Sequence, residues 1–160
     1  MAERTAELAE AAGMLPLVVA GDEEVAEWAI RSGLPAVPDP GSGLDEAARI
    51  GVAWAGEADT DWLVLHSDLP LLTVAELGEV TAIVTSATAV IAPSADGGTS
   101  AIGGHGDAVF SYGPASFHTH LARCPEAVVV ARLGFLHDVD SMSDLESARR
   151  HPRGRWLAGL

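Results

Sequence analysis

Three aspartates follow apolar segments at positions where their carboxylates could hold a divalent metal. Asp68 comes just after the apolar run WLVL, in HSDLP (66–70), at the strand edge where open α/β sheets bind ligands. Asp138 and Asp140 are two residues apart in HDVDS (137–141), so in extended chain both side chains point to one side. Such carboxylates repel unless a cation lies between them, and oxygen ligands favour Mg²⁺ or Mn²⁺. The structural alternative is that Asp68 caps a turn, Asp140 caps a helix and Asp138 is solvated.

A second segment has the composition of an anion-binding loop. In IAPSADGGTSAIG (91–103), Gly97 and Gly98 permit close backbone approach beside the hydroxyls of Thr99 and Ser100. No lysine follows the glycines, so the segment is not a P-loop, and it lacks the dinucleotide GxGxxG spacing. Taken by itself, a plain flexible loop is the better interpretation.

A third segment, YGPASFHTH (112–120), places Gly113 and Ser116 at the start of a predicted helix. The free N–H groups of a helix N-terminus beside a serine favour an anion. His118 and His120 diverge by about 200° on a helix and cannot easily share a metal. We expect one of these histidines to be packed or capping and the other to be solvated.

The elements that must position these residues alternate along the chain, which predicts an α/β fold with helices on the faces of a sheet. Thr73 and Ser143 are predicted helix N-caps because each has a glutamate three residues later, and Asp22 is a third. The predicted strands are 15–20, 34–37, 61–67, 89–93, 108–112, 127–131 and 134–140. The predicted helices are 2–12, 22–32, 43–56, 73–87, 114–123 and 143–151.

The charge of the chain excludes several classes of partner. Acidic residues number 23 against 9 basic ones, all of them arginine, and the formal net charge is −14. Such a surface repels nucleic acid and anionic membranes. A chain that handled a nucleoside triphosphate would need cations, and a metal held by carboxylates would supply them.

Length and composition indicate one domain over residues 1–160, with a mobile tail at 152–160. No apolar run approaches the roughly 18 residues of a membrane span, and we do not expect the charged N-terminal segment to act as a signal peptide. Cys124 is the only cysteine, so no internal disulfide can form and we expect a cytoplasmic protein.

The motifs SDLPLL, APSADGGTSAIG, SYGPASFHTHLA and GFLHDVDSMSDLESA occur in this order. Together with VPDPGSGLDEAARIGVAWA, they resemble the guanylyltransferases of coenzyme F420 biosynthesis from about residue 15 to residue 150. These enzymes join GTP to 2-phospho-L-lactate or phosphoenolpyruvate and release pyrophosphate. The resemblance implies a nucleotide-diphospho-sugar-transferase-like (GT-A-like) three-layer sandwich with a mixed, mostly parallel sheet.

The resemblance also assigns roles to residues. It implies that the catalytic, metal-binding residues are Asp68, Asp138 and Asp140, with Mg²⁺ or Mn²⁺ as the metal. It implies that the phosphorylated three-carbon acid is held by Thr99, Gly113 and Ser116, with Gly97 and Gly98 in the same loop. The acceptor phosphate would attack the α-phosphorus of GTP, so no protein nucleophile is required.

The sequence departs from the family pattern in ways that bear on nucleotide binding. The resemblance begins after the family's first strand and its basic phosphate-binding loop, so we expect an N-terminally truncated version of the fold. Asp45 and Ser100 stand where the family usually has asparagine, and the charge of Asp45 should weaken nucleotide binding. We further expect the sheet to re-pair around the missing strand, or a second copy to cover it in a homodimer.

Two other functions stay open at this point. One is a catalytically impaired homologue that binds a phosphorylated small molecule or a protein. The other is a sugar-nucleotide or molybdopterin-type nucleotidyltransferase, which the segment YGPAS makes less favourable because it suits a small phosphorylated acid.

Overall fold

The computed structural model describes residues 1–85 and 89–159, and helices and strands alternate along it. The strands are β1 (Val18–Ala20), β2 (Ala36–Pro38), β3 (Trp62–Leu65), β4 (Val90–Pro93), β5 (Thr99–Gly104) and β6 (Val128–Val129). The helices are α1 (Ala2–Ala11), α2 (Glu23–Arg31), α3 (Leu44–Gly56), α4 (Val74–Val84), α5 (Ser116–Arg123), α6 (Leu133–Leu136) and α7 (Met142–Arg150), before a 3₁₀ helix at Pro152–Gly159. The end of predicted helix 73–87 and the last residue of the predicted tail lie outside the described residues. The α/β class is confirmed.

The strands form two sheets whose directions explain where the predicted site residues meet. β1 and β2 pair in parallel, and the four-stranded sheet has the order β3-β5-β4-β6. In that sheet β5 is antiparallel to both neighbours, whereas β3, β4 and β6 run the same way. The sheet is therefore mixed, as expected. The carboxyl ends of β3, β4 and β6 and the amino end of β5 lie at one edge.

The strands β1 and β3 each have one neighbour in the described chain. All four positions of β3 are apolar, as in a strand covered on both faces, yet none is fully buried. Helix α3 packs against both β1 and β3, but the two strands are not paired with each other. The prediction that the sheet re-pairs is therefore wrong; covering by a second copy stays a prediction.

The four-stranded sheet is covered on both faces, which gives three layers. Alternation along β4 sends Val90 and Ala92 to one face and Ile91 to the other. The first face packs against α4, α6 and α1. The second packs against α3, α5 and the segment 108–112.

Two of the three predicted helix caps are confirmed. Asp22 accepts a hydrogen bond from the N–H of Val25 at 2.8 Å, and Thr73 accepts one from the N–H of Glu76. The predicted cap at Ser143 is wrong, because α7 begins at Met142 and its cap is Ser141. Ser141 forms a capping box with Asp144, an acid three residues on, so the correct pair is shifted by two residues.

Two predicted strands are wrong and one strand was missed. Segment 134–140 overlaps α6, and segment 108–112 is irregular. The aromatic residues of 108–112 do pack in the core, but its backbone bonds to side chains rather than to a strand. The missed strand is β5, which was predicted as a loop because of its glycines. Gly103 and Gly104 are needed there because an added Cβ would lie 3.0 and 3.3 Å from Trp62.

The predicted mobile tail is packed over residues 152–159. Leu157 is fully buried, and the indole N–H of Trp156 donates to the carbonyl of Pro70 at 3.0 Å. The guanidinium of Arg153 lies 2.8 Å from the carboxylate of Glu76. No helix within residues 1–85 and 89–159 is long and apolar enough to span a membrane.

Candidate active site

Two adjoining cavities open where the strand ends meet. One, of about 190 Å³, lies beyond β3, β4 and the amino end of β5. The other, of about 240 Å³, lies at the amino end of α3 and shares Leu44, Tyr112 and Gly113 with the first. The smaller cavity is lined by seven of the eight predicted site residues: Asp68, Gly98, Thr99, Gly113, Ser116, Asp138 and Asp140. Gly97 is not part of its lining.

Four carboxylates face the smaller cavity. Asp96, Asp138 and Asp140 each place one carboxylate oxygen within 4.8 Å of the others. Asp68 lines the same cavity, and its carbonyl accepts the N–H of Val139 at 3.1 Å, which fixes segment 138–140 beside the end of β3. Asp96 was missed as a candidate because an aspartate before two glycines has the appearance of ordinary turn chemistry.

Asp96 is in fact held by its own turn. Its Oδ1 accepts hydrogen bonds from the N–H of Gly98 at 2.9 Å and from the hydroxyl of Ser94. The Ser94 and Gly98 hydrogen bonds lower the pKa of Asp96. Asp96 therefore stays ionised, with its carboxylate in a fixed position.

Asp138 is shifted in the opposite direction. Burial raises its pKa, and the negative charges of Asp96, Asp140 and Asp68 add to the effect. The ionised form of Asp138 is therefore disfavoured unless positive charge enters the cluster.

The carboxylate cluster fits a hard divalent cation. All of its donors are oxygens, which suits Mg²⁺ or Mn²⁺. Asp68 Oδ1 is buried without a hydrogen-bond partner in the described chain, and such an atom is costly unless something binds it. Asp68, Asp138 and Asp140 thus line one cavity. Among the described residues, the carboxylate oxygens that lie within 4.8 Å of one another are those of Asp96, Asp138 and Asp140, a group without Asp68.

A buried group of neutral polar side chains borders the same cavity through Thr99 and Ser116. Thr99 begins β5, and Ser116 begins α5. The Ser116 hydroxyl donates to Thr99 Oγ1 at 3.2 Å, and Thr99 Oγ1 lies 2.9 Å from Nδ1 of His120. All three side chains are buried. His120 is thus the packed histidine and His118 the exposed one; the role of His120 was not predicted.

The expectation of free N–H groups at the start of α5 is wrong. The N–H of Ser116 bonds to the carbonyl of Gly113, and the N–H of Phe117 bonds to the carbonyl of Gly97 at 3.2 Å. Gly97 therefore contributes a structural acceptor to this corner. An anion here would meet hydroxyls rather than the helix N-terminus.

Asp45 lines the larger cavity and also has a structural partner. Its Oδ1 accepts the backbone N–H of Tyr112 at 2.6 Å, which ties α3 to the loop before α5. That loop carries Gly113, with φ +135°, and Ala115, with φ +56°. The predicted weakening of nucleotide binding by Asp45 stays a prediction.

The chain is similar to one protein family and to individual proteins with related names. The family model described as "Guanylyl transferase CofC like" matches residues 6–153. Phosphoenolpyruvate guanylyltransferase of Sphaerobacter thermophilus is 34% identical over 144 residues, which are 84% of this chain and 69% of the relative. Phosphoenolpyruvate guanylyltransferase 2 of Rhodococcus jostii is 32% identical over 80% of this chain and 62% of the relative. The chain thus spans about two thirds of the length of these relatives.

The fold has a counterpart among solved structures. A crystal structure described as a nucleotide-diphospho-sugar transferase from Desulfovibrio desulfuricans has a TM-score of 0.64 and covers 89% of this chain and 71% of its own. Its sequence identity is 20%, so the likeness concerns the fold, and it confirms the predicted fold class.

Proposed function

Because the chain belongs to the family of CofC-like guanylyl transferases, we propose that it transfers GMP from GTP to phosphoenolpyruvate in coenzyme F420 biosynthesis. We propose phosphoenolpyruvate as the acceptor, and not 2-phospho-L-lactate, because the similar relatives are named phosphoenolpyruvate guanylyltransferases. The observation that carries the proposal is the meeting of carboxylates with the hydroxyls of Thr99 and Ser116 in one cavity.

The reaction exchanges one phosphoanhydride bond for another. An oxygen of the acceptor phosphate bonds to the α-phosphorus of GTP, and the bond from that phosphorus to the bridging oxygen of pyrophosphate breaks. No covalent protein intermediate is needed, so the chain acts by positioning and electrostatics. A Mg²⁺ ion bound by the carboxylates would neutralise triphosphate charge.

The proposed roles follow from where the side chains lie. Asp68, Asp138 and Asp140, joined by Asp96, would hold a divalent metal. Thr99 and Ser116 line the same cavity and hold the phosphorylated acid together. Thr99 donates its hydroxyl hydrogen to an oxygen of the acid, and Ser116 supports Thr99 by donating its own hydrogen to Thr99 Oγ1. The larger cavity beside α3 is left for the rest of the nucleotide.

The test is a titration of the purified protein with GTP, with and without Mg²⁺, followed by measurement of pyrophosphate release with each acid. We expect metal-dependent GTP binding and release with phosphoenolpyruvate. Asp138→Asn tests the metal site, and it should lose both metal-dependent GTP binding and pyrophosphate release. Absence of binding at millimolar GTP would contradict the proposal.

A second candidate is a protein that binds the phosphorylated acid without turnover. It is favoured by one observation: within the described residues, neither cavity is lined by an arginine, so the triphosphate meets no side-chain cation there. This candidate predicts binding of phosphoenolpyruvate with no release of pyrophosphate from GTP.

A further inference from the structure

His120 has a defined tautomer because of the hydrogen bond at its outer nitrogen. The side chain is 1% exposed, and its Nε2 lies 2.8 Å from the backbone N–H of Ser111. That N–H can only donate, so Nε2 accepts and carries no hydrogen. In a neutral imidazole the hydrogen is then on Nδ1, which lies 2.9 Å from Thr99 Oγ1.

The direction of these bonds determines what the Thr99 hydroxyl can do. A hydroxyl has two acceptor lone pairs and one hydrogen. Thr99 Oγ1 accepts from Nδ1–H of His120 and from the hydroxyl of Ser116, so both lone pairs are used. Its own hydrogen remains available, and Thr99 lines the smaller cavity.

We propose that His120 is a positioning residue that fixes the Thr99 hydroxyl as a hydrogen-bond donor to an anionic oxygen of the phosphorylated acid. This inference rests on the proposed function. The relay runs from the N–H of Ser111 through the neutral ring of His120 to Thr99 and then to the ligand.

The surroundings of His120 keep the ring neutral. Burial lowers the pKa of His120, the charge of Asp45 acts against this shift, and the charge of Arg123 adds to it. The ring also packs edge-on against Tyr112, with centroids 5.1 Å apart. A protonated ring would direct a second N–H at the N–H of Ser111, so His120 does not serve as an acid or base.

Two variants separate this role from a purely structural one. In His120→Gln the side-chain amide reaches the place of Nε2, so the bond from Ser111 is kept and the donor to Thr99 is lost. In His120→Asn the amide lies near Nδ1, so the donor to Thr99 is kept and Ser111 loses its acceptor. We expect KM for phosphoenolpyruvate to rise about 3- to 10-fold in His120→Gln, with kcat and KM for GTP within about 2-fold.

His120→Asn should show the reverse order of effects. KM for the acid should stay within about 2-fold, while thermal stability falls below that of His120→Gln because the N–H of Ser111, which is partly buried, is left without a partner. If KM for the acid instead follows stability across the two variants, His120 is only structural and the proposal is overturned.

Thr99→Val supplies the coupling test, since it removes the hydroxyl while keeping the shape. In that background His120→Gln should cause no further rise in KM, whereas additive effects would overturn the relay.

Nitrogen NMR of the wild-type ring provides a readout independent of turnover. We expect hydrogen on Nδ1 and none on Nε2 at neutral pH. If wild type neither binds the acid nor releases pyrophosphate, the proposed function fails, and this measurement still decides the hydrogen-bond direction. Hydrogen found on Nε2 would overturn the relay whatever the activity.

Discussion

The two sides of the smaller cavity are built on opposite electrostatic principles. On one side Asp96, Asp138 and Asp140 bring like charges within 4.8 Å, and burial beside them raises the pKa of Asp138. On the other side Thr99 lines the cavity and is joined by a hydrogen bond to His120, and both side chains are neutral and buried. The first side is costly until a cation arrives, whereas the second is organised beforehand.

This difference predicts which substitutions should harm folding and which should harm only ligand binding. Removing the charge of Asp138 from the acidic side relieves repulsion, so it should cost function but not stability. Removing a partner from a satisfied polar group leaves another group unpaired, so it should cost stability.

The largest effect is expected for Asp138→Asn. Pyrophosphate release should fall by about 100-fold or more because the metal loses a ligand. Without metal, the Asp138→Asn variant should be at least as stable as wild type, because the repulsion between Asp138 and the charges of Asp96 and Asp140 is removed. Activity assays and thermal unfolding with and without Mg²⁺ measure both effects. The exposed Glu10→Gln removes the same charge elsewhere and should change neither; equal stabilisation of Asp138→Asn and wild type by Mg²⁺ would contradict the metal site.

The next largest effect concerns Glu76, a buried carboxylate with several partners. It accepts from the hydroxyl of Thr73 at 2.7 Å, from Arg153 at 2.8 Å and from the N–H of Gly134 at 3.1 Å. Glu76→Gln should lower the free energy of unfolding by about 1–3 kcal/mol at pH 7, with the Arg153 part reduced because that side chain is 40% exposed.

The loss in Glu76→Gln should depend on pH. Burial raises the pKa of Glu76, but the hydrogen bonds from Thr73, Arg153 and Gly134 outweigh it and the net pKa is lowered. The stabilisation is therefore present above the pKa of the unfolded chain and is lost as pH falls through the folded value. Urea unfolding at neutral and acid pH should show the variant approaching wild type in acid. The surface pair Glu79–Arg132 is the control: Glu79→Gln should cost about 0–1 kcal/mol.

A smaller effect is expected for Gly98→Ala. Gly98 lies in the chain between Asp96 on the acidic side of the cavity and Thr99 on the neutral side. An added Cβ would lie 2.7 Å from Ser94 Oγ and 3.0 Å from Asp96 Oδ1, so the Asp96 carboxylate must move. Apparent Mg²⁺ affinity should fall about 10-fold, measured by the dependence of turnover on Mg²⁺. Gly78→Ala in α4 is the control: a Cβ there meets nothing within 4 Å, so it should instead raise stability by up to about 1 kcal/mol. Unchanged Mg²⁺ affinity in Gly98→Ala would show that Asp96 is not a metal ligand.

The sequence predicted those site residues that can be recognised from their residue type and from their place at the end of an apolar segment. Asp68 and Asp138 were identified because acids after apolar runs are visible in one dimension. Asp96 was not identified as a ligand because its hydrogen bonds from Ser94 and Gly98 are those of an ordinary turn, and its closeness to Asp138 depends on how distant segments of the chain meet. His120 was beyond sequence reasoning, since its partners Thr99 and Ser111 come from separate elements.

Tertiary contacts also explain why strand β5 was missed and why a strand was wrongly predicted at 108–112. Segment 108–112 has the apolar character of a strand, but its backbone N–H groups at Ser111 and Tyr112 are taken by side chains of His120 and Asp45. β5 looks like a loop, yet its small residues fit between β3 and β4. Tertiary partners outweighed local propensity in both places.

The smallest effect is expected for Tyr112→Phe. The hydroxyl of Tyr112 is buried without a hydrogen-bond partner among the described residues, and burial raises the pKa of the phenol. The contact with Asp45 uses the backbone N–H of Tyr112, so Phe keeps it. The free energy of unfolding of the ligand-free variant should therefore match that of wild type or exceed it by up to about 1 kcal/mol, as measured by urea unfolding.

Tyr112→Leu is the control, and its free energy of unfolding should fall by about 2 kcal/mol or more, because the ring packs against Phe110 and His120. Equal losses in the two variants would show that the hydroxyl is satisfied after all, and that the neutral side of the cavity extends to Tyr112.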